Sequence, residues 1–64
     1  MIIVNGESIE TKAQTMAELL DELGYDHMPV ATARNMSVVR KRERAETRLS
    51  ECDRIEILVP MQGG

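Results

Sequence analysis

The sequence contains no phenylalanine and no tryptophan, and Tyr25 is its only aromatic residue. Any hydrophobic core must therefore be built from aliphatic side chains, with five methionines as adaptable filler. The 64 residues allow one domain, close to the size at which a single core suffices. We do not expect an enclosed catalytic pocket inside so small a core.

Cysteine and histidine occur once each, as Cys52 and His27. A single cysteine excludes an internal disulfide, and isolated ligands of this kind do not predict a metal site. No apolar run approaches the roughly 20 residues of a membrane span, and the first residues lack the basic segment of a secretion signal. These absences predict a protein of the cytoplasm that contacts no membrane. We expect it to be a monomer when free.

The formal net charge is −3, although four of the five residues in the segment 40–44 are basic. Basic segments occur at nucleic-acid interfaces, but no aromatic side chain is interleaved with these residues for stacking on bases. We therefore expect a solvated loop, or a surface that attracts an acidic partner, and no nucleic-acid binding.

The first predicted element is a hairpin. Residues 2–4 are β-branched, and Asn5-Gly6 is the strongest two-residue signal for a type I′ turn, which needs φ > 0 at both central positions. Residues 7–12 then alternate as a strand with one solvent-exposed face, so Ile9 should point inward.

A helix is predicted over Met16–Leu23. Thr15 is its expected N-cap, Glu18 completes a capping box, and Gly24 suits the left-handed residue that ends a helix. The spacing i, i+3, i+4, i+7 gives one apolar stripe that should pack across a sheet. The stripe consists of Met16, Leu19, Leu20 and Leu23.

The second half of the chain predicts strands separated by turns. Residues 30–33 suit a strand beneath a helix, Asn35 begins a turn, and residues 37–39 form a weaker strand. Residues 40–49 read as an irregular charged connection, from which Leu49 should enter the core.

The best strand candidate is 55–59, in which Ile55, Ile57 and Val59 alternate with Arg54, Glu56 and Leu58 until Pro60 ends the strand. We expect it to lie centrally. The order strand, strand, helix, strand, short strand, strand predicts an α+β fold. Its mixed sheet of four to five strands with one main helix on one face is the ubiquitin-like β-grasp arrangement.

Residues 1–60 should form this domain, and residues 61–64 a flexible tail that ends in two glycines. Fully extended, four residues reach about 13 Å, and glycine passes where a side chain would collide. The α-carboxylate of Gly64 is therefore the candidate reactive group, with clearance around it from Gly63. The expected partner contacts are Met61, Gln62, Gly63 and Leu58.

Three segments resemble the ThiS family, the sulfur carriers of thiamin biosynthesis, which are related to the MoaD-type small subunit of molybdopterin synthase. They are Val30-Ala31-Thr32-Ala33-Arg34-Asn35, Asp53-Arg54-Ile55-Glu56-Ile57-Leu58 and Pro60-Met61-Gln62-Gly63-Gly64. The likeness covers essentially the whole chain. It departs from the family pattern at two turns, where Asn35-Met36 replaces the usual Asn-Gly and Cys52-Asp53 the usual Gly-Asp.

The resemblance implies a carrier rather than an enzyme. An E1-like adenylating enzyme of the ThiF type would use ATP and Mg²⁺ to adenylate Gly64, and a cysteine-derived sulfur donor would convert it to a thiocarboxylate. A thiazole synthase of the ThiG type would then take the sulfur. No cofactor is expected on the chain itself.

Other functions remain open from the sequence. A related carrier could serve molybdopterin or another sulfur-containing product, and a ubiquitin-like modifier would join Gly64 to a lysine through an isopeptide bond. A binding module with an inert tail is a third class. Ile3 and Leu58 could form an apolar patch for partners or lie under the helix, because the sequence does not fix the register of their strands.

Overall fold

The computed structural model describes residues 1–60, and the predicted tail, residues 61–64, lies outside the described residues. The elements are, in chain order, β1 (Ile2–Val4), β2 (Glu7–Ile9), α1 (Met16–Leu23), β3 (Ala31–Arg34), β4 (Ser37–Val39), a 3₁₀ turn (Lys41–Glu43) and β5 (Arg54–Leu58). The strands form one sheet in the order β2-β1-β5-β3-β4. Because β1 and β5 run parallel and the other neighbours antiparallel, the predicted mixed sheet with a central last strand is confirmed.

The helix α1 begins and ends where the sequence predicts. The Thr15 hydroxyl accepts a hydrogen bond from the Glu18 N–H at 3.2 Å, and Gly24 takes the left-handed φ of 85°. The Glu18 carboxylate accepts from the Gln14 N–H at 2.8 Å, one residue earlier than in a standard capping box. Hydrogen bonds local in sequence therefore set both ends of the helix.

One face of α1 packs against one face of the sheet. Ile9 and Leu49 are partly buried against this core, as predicted, whereas Leu23 lies at its exposed edge. The buried apolar residues form one cluster of Ile2, Val4, Met16, Leu19, Leu20, Val30, Val39, Ile55 and Ile57.

The second strand is shorter than the predicted 7–12 segment and ends at Ile9. The Thr11 hydroxyl accepts from the Ala13 N–H at 3.0 Å and donates to the Glu22 carboxylate at 2.8 Å. These bonds turn the chain toward α1, so the alternating pattern continues in sequence after the strand itself has ended.

The last strand is one residue out of step with the predicted 55–59 segment. Leu58 pairs with Ala31, the first residue of β3, and no strand residue lies opposite Val59. Val59, the last residue of the predicted strand, therefore lies outside β5, and 46% of it is exposed.

The connection between β4 and β5 is more ordered than the predicted irregular segment 40–49. It contains the 3₁₀ turn, after which the carbonyls of Arg44 and Thr47 accept from the N–H groups of Ala17 and Met16 at 3.1 and 2.9 Å. The connection thus satisfies donors in the first turn of α1 that have no partner within the helix.

The turns that depart from the ThiS pattern keep a left-handed backbone. Asn35 and Met36 have φ of 49° and 73°, like the predicted turn at Asn5 and Gly6 with 50° and 84°. Cys52 has φ of 68°. The replaced glycines thus leave the local geometry in place, at a cost of about 1–2 kcal/mol for a side chain in this region.

Candidate functional site

The face of the sheet that points away from α1 carries exposed apolar side chains. Leu58 is 65% exposed and Val38 is 76% exposed. The register places Leu58 beside Ala31, and Ala33 between Glu56 and Val38. A shallow depression of about 120 Å³ runs between these side chains. We call Ala31, Ala33, Val38 and Leu58 the outer apolar surface.

The register also answers the question of Ile3 and Leu58. Ile3 pairs with Arg54, and Ile2 and Val4 on either side of it are buried, so Ile3 faces away from α1 as Leu58 does. Arg54 precedes Leu58 by four residues on β5, or about 13 Å of extended chain. Ile3 and Leu58 therefore lie on one face without forming one patch.

The position of the chain where β5 ends is fixed by the side chain of Asn5. The Asn5 N–H donates to the Ile55 carbonyl at 2.9 Å, in line with the parallel pairing of β1 and β5. The Asn5 side-chain amide then donates to the Ile57 carbonyl at 3.2 Å and accepts from the Ile57 N–H at 2.9 Å. The side-chain amide of Asn5 thus makes the two bonds with Ile57 that a further residue of β1 would make, because the backbone of β1 has already turned away from β5. This pairing holds β5 in line one residue before Leu58.

A second asparagine holds the opposite end of β5. Asn35, at the tip of the β3–β4 hairpin, accepts from the Arg54 N–H through its side chain at 2.9 Å. Its own N–H donates to the Arg54 carbonyl at 2.7 Å. The central strand is therefore braced at both ends by asparagines that also form the hairpin turns.

Asp53, directly before β5, is buried and fully engaged. Its carboxylate accepts from the Arg34 guanidinium at 2.6 Å, the Ser50 N–H at 2.7 Å and the Asn35 amide at 3.0 Å. Burial by itself would raise the pKa of Asp53, but these donors outweigh it and hold the pKa below its usual value of 3.8. The sequence alone predicts only a turn at Asp53. An acidic residue before a strand does not indicate that its carboxylate is buried in a hydrogen-bond network.

The model of the ThiS family matches residues 2–64. The chain belongs to the ThiS family. Among solved structures it is similar to the thiamine biosynthesis protein (ThiS) of Geobacter metallireducens, with a TM-score of 0.77 and 28% sequence identity. That match covers 98% of this chain and 97% of the other. The fold is therefore the ubiquitin-like β-grasp, as predicted.

The chain is also similar to part of a longer protein. The chain is 36% identical over 64 residues to a thiazole synthase of Paramagnetospirillum magneticum, a match that covers 98% of this chain. The chain spans only 20% of the length of that thiazole synthase.

Of the predicted site residues in this ThiS-family chain, the structure places Leu58 on the outer apolar surface at the end of β5. Met61, Gln62, Gly63 and Gly64 lie outside the described residues, although the ThiS-family match includes them. Their roles therefore stay predictions.

The remaining polar candidates do not form a second site. Cys52 is exposed and precedes β5, at the opposite end of that strand from Leu58. His27 is exposed and lies 3.1 Å from the Asp26 carboxylate. Within residues 1–60 no group of three or more potential metal ligands comes together, and no helix is long and apolar enough to cross a membrane.

Proposed function

We propose that this ThiS-family chain is a sulfur carrier of thiamin biosynthesis that serves the formation of the thiazole ring. The observation that carries the proposal is the family match, which runs through the Gly63-Gly64 pair that follows the central strand by a few residues. The similarity to a thiazole synthase favours the thiazole product over molybdopterin. In this proposal the chain is a protein substrate, and the catalysts belong to its partners.

The chemistry follows from the low reactivity of a carboxylate. Attack of a Gly64 oxygen on the α-phosphorus of ATP releases pyrophosphate and forms an acyl-adenylate, in which AMP is a good leaving group. The terminal sulfur of a partner's cysteine persulfide then attacks the acyl carbon and displaces AMP. A second thiol cleaves the resulting acyl disulfide, which leaves a thiocarboxylate on Gly64 and a disulfide on the donor side.

The one buried carboxylate within residues 1–60, Asp53, is engaged by three hydrogen-bond donors, so its part is in holding the fold. In this proposal, an E1-like enzyme of the ThiF type supplies the nucleotide site and Mg²⁺ for adenylation.

The outer apolar surface is the proposed docking site for partner enzymes. Exposed apolar patches rimmed by polar residues are typical of protein–protein interfaces. Leu58 joins this surface to the end of β5, so a partner bound there would sit at the strand end from which the chain continues toward the tail. Asn5 would fix the direction in which the tail leaves the domain, through its two hydrogen bonds with Ile57.

Pyrophosphate exchange with the cognate ThiF-type enzyme tests the reactive group. Removing Gly64 draws the carboxylate back by about 3.3 Å or more, whereas reacting atoms must approach to roughly 3–3.5 Å. We expect deletion of Gly64, or amidation of its carboxylate, to abolish exchange without unfolding the domain.

The variant Gly63→Ala is the matched control. It keeps the carboxylate in place and adds only a methyl group, so exchange should slow without being lost. Equal exchange by the deleted or amidated protein would exclude Gly64 as the reactive end. It would favour the module with an inert tail. Appearance of isopeptide-linked lysines in place of a thiocarboxylate would favour the ubiquitin-like modifier.

A further inference from the structure

Three exposed cations, Arg40, Lys41 and Arg42, directly follow β4. Within residues 1–60, none of their side chains forms a salt bridge with a carboxylate. The carboxylate of Glu43, the next residue, accepts from the backbone N–H of Arg40 at 3.0 Å, an interaction that needs no arginine side chain. We call Arg40, Lys41 and Arg42 the basic surface.

The fold does not explain the basic surface. Arg44, the next basic residue, is partly buried and its guanidinium donates to the Val30 carbonyl at 2.6 Å, so its role is structural. Neighbouring like charges without a salt bridge repel one another and do not stabilise a domain. Solubility does not explain them either, because in a chain with a net charge of −3 they bring the charge closer to zero. A partner of opposite charge would account for them.

The register places the basic surface at the end of the sheet from which the chain continues toward the tail. Val39 pairs with Thr32, and Arg40 follows in an extended conformation, with φ of −74° and ψ of 155°. Arg40 therefore lies opposite Ala31, which pairs with Leu58 on its other side. Two strand spacings, about 10 Å, separate the backbones of Arg40 and Leu58.

The length of the tail limits the distance between the domain and any enzyme that acts on Gly64. Gly64 follows Leu58 by six residues, which span at most about 20 Å when fully extended. An enzyme that holds the Gly64 carboxylate in its active site must therefore bring its own surface to this end of the sheet. The basic surface lies closer to Leu58 than that limit, so it is within reach of this enzyme.

We propose that the basic surface is an electrostatic docking site for an acidic surface beside the active site of the enzyme that takes Gly64. This inference rests on the proposed function, in which the first such enzyme is the adenylating one. Opposite charges across an interface speed encounter and fix orientation. Residues 1–33 carry six acids and one base, so an acidic enzyme surface would repel that part of the domain and attract the end that leads to the tail.

Neutralising the basic surface tests the inference. The neutralised variant combines Arg40→Gln, Lys41→Gln and Arg42→Gln. In pyrophosphate exchange with the cognate ThiF-type enzyme, its KM should rise about fivefold or more with kcat unchanged, because the lost contacts bind ground state and transition state alike. Its melting midpoint should equal that of the wild type, because the three side chains are exposed and form no salt bridge within residues 1–60.

The matched control combines Lys12→Gln, Arg48→Gln and Arg54→Gln, which changes the net charge equally. These exposed cations lie toward the other end of the sheet. Lys12 follows the end of β2, Arg48 bridges to Thr15 before α1, and Arg54 begins β5. The KM of this control should stay within about twofold of the wild-type KM, because solvent ions screen distant charges. A rise equal to that of the neutralised variant would show that net charge alone governs binding and would overturn the inference.

Ionic strength gives a second readout. Raising it from about 0.01 M to about 0.15 M shortens the screening length from about 30 Å to about 8 Å, so the wild-type KM should rise more steeply than that of the neutralised variant. Arg40→Lys combined with Arg42→Lys keeps the charge and should keep both the KM and its salt dependence. A wild-type KM that is independent of ionic strength, or an unchanged KM in the neutralised variant, overturns the inference.

Nucleic acid is the other class of ligand that a cluster of cations binds. Fluorescence anisotropy with a labelled single-stranded oligonucleotide should not distinguish the wild type from the neutralised variant. Binding that the neutralised variant loses, together with an unchanged KM, would assign the basic surface to nucleic acid and overturn the inference. In each of these cases the proposed function stands, because its failure would instead appear as exchange that does not require Gly64.

Discussion

At the residue scale, Asn5 and Asn35 each combine a left-handed backbone with a side chain that pairs with β5. Asparagine suits both tasks, because its short amide tolerates positive φ and offers one donor and one acceptor group. The turns are visible in the sequence. The pairing with β5 is not, because Ile57 lies 52 residues from Asn5.

We predict that Asn5→Gly keeps the first hairpin but loosens the end of β5. Glycine accepts the φ of 50°, yet the two hydrogen bonds with Ile57 are lost. The free energy of unfolding should fall by about 1–2 kcal/mol, and the Ile57 amide should exchange with solvent faster than in the wild type. Asn5→Asp keeps an acceptor for the Ile57 N–H, so its free energy of unfolding should lie between those of the wild type and Asn5→Gly. Unchanged protection of Ile57 in Asn5→Gly would contradict this account of the strand end.

Asp53 gives a prediction about pH. Its pKa is lowered in the folded protein because its hydrogen bonds, chiefly with Arg34, outweigh the opposing effect of burial. The ionised form is thus favoured by folding, so its stabilisation is complete above the ordinary value of 3.8 and is lost as the pH falls through the lower folded pKa. Urea unfolding should show wild-type stability falling below about pH 4. Asp53→Asn should be about 1–3 kcal/mol less stable at neutral pH and lack that part of the acid dependence.

Glu56→Gln, which changes an exposed carboxylate on β5, serves as the control and should keep the wild-type acid dependence. If Asp53→Asn and the wild type lose the same stability on acidification, a carboxylate other than Asp53 causes the acid dependence.

At the scale of elements, α1 contributes to stability mainly through its buried stripe. Leu20 is buried in the core, whereas Glu22 is exposed and accepts one hydrogen bond from Thr11. We expect Leu20→Ala to cost about 2–5 kcal/mol and Glu22→Ala a few tenths. Ile57→Ala should resemble Leu20→Ala. Denaturant melts measure all three, and similar small losses throughout would show that α1 and β5 do not share this core.

The elements also show what the sequence can predict. The helix boundaries were predictable because Thr15 and Gly24 act on neighbours within a few residues. The end of β5 was not, because it depends on where Ala31 lies in β3, a contact distant in sequence. The alternating pattern therefore extends the predicted strand to Val59, although no strand residue lies opposite it.

At the scale of the whole molecule, the two faces of the sheet differ in what covers them. The face under α1 holds the core, and the other presents Leu58 and Val38 to solvent. The sequence alone suggests the candidate reactive end, because two glycines after a strand are a local signal. It also suggests Leu58 as a partner contact, because Leu58 lies in the strand that leads to that end. It did not predict the outer apolar surface, because that surface is assembled from three strands whose register is set by tertiary packing.

The central claim is that Gly64 carries sulfur, and the C-terminal peptide of the carrier tests it most directly. The protein is incubated with its cognate activating enzyme, Mg²⁺-ATP and a persulfide donor, then digested and sequenced by mass spectrometry. Locating the mass change within Gly63-Gly64 separates exchange of oxygen for sulfur from sulfoxide formation at Met61, which adds nearly the same mass. We predict that the increase lies on Gly64, requires ATP and is absent from carrier amidated at its C-terminus. An unmodified Gly64 after complete ATP-dependent turnover, or a sulfur found only on Cys52, would contradict the account.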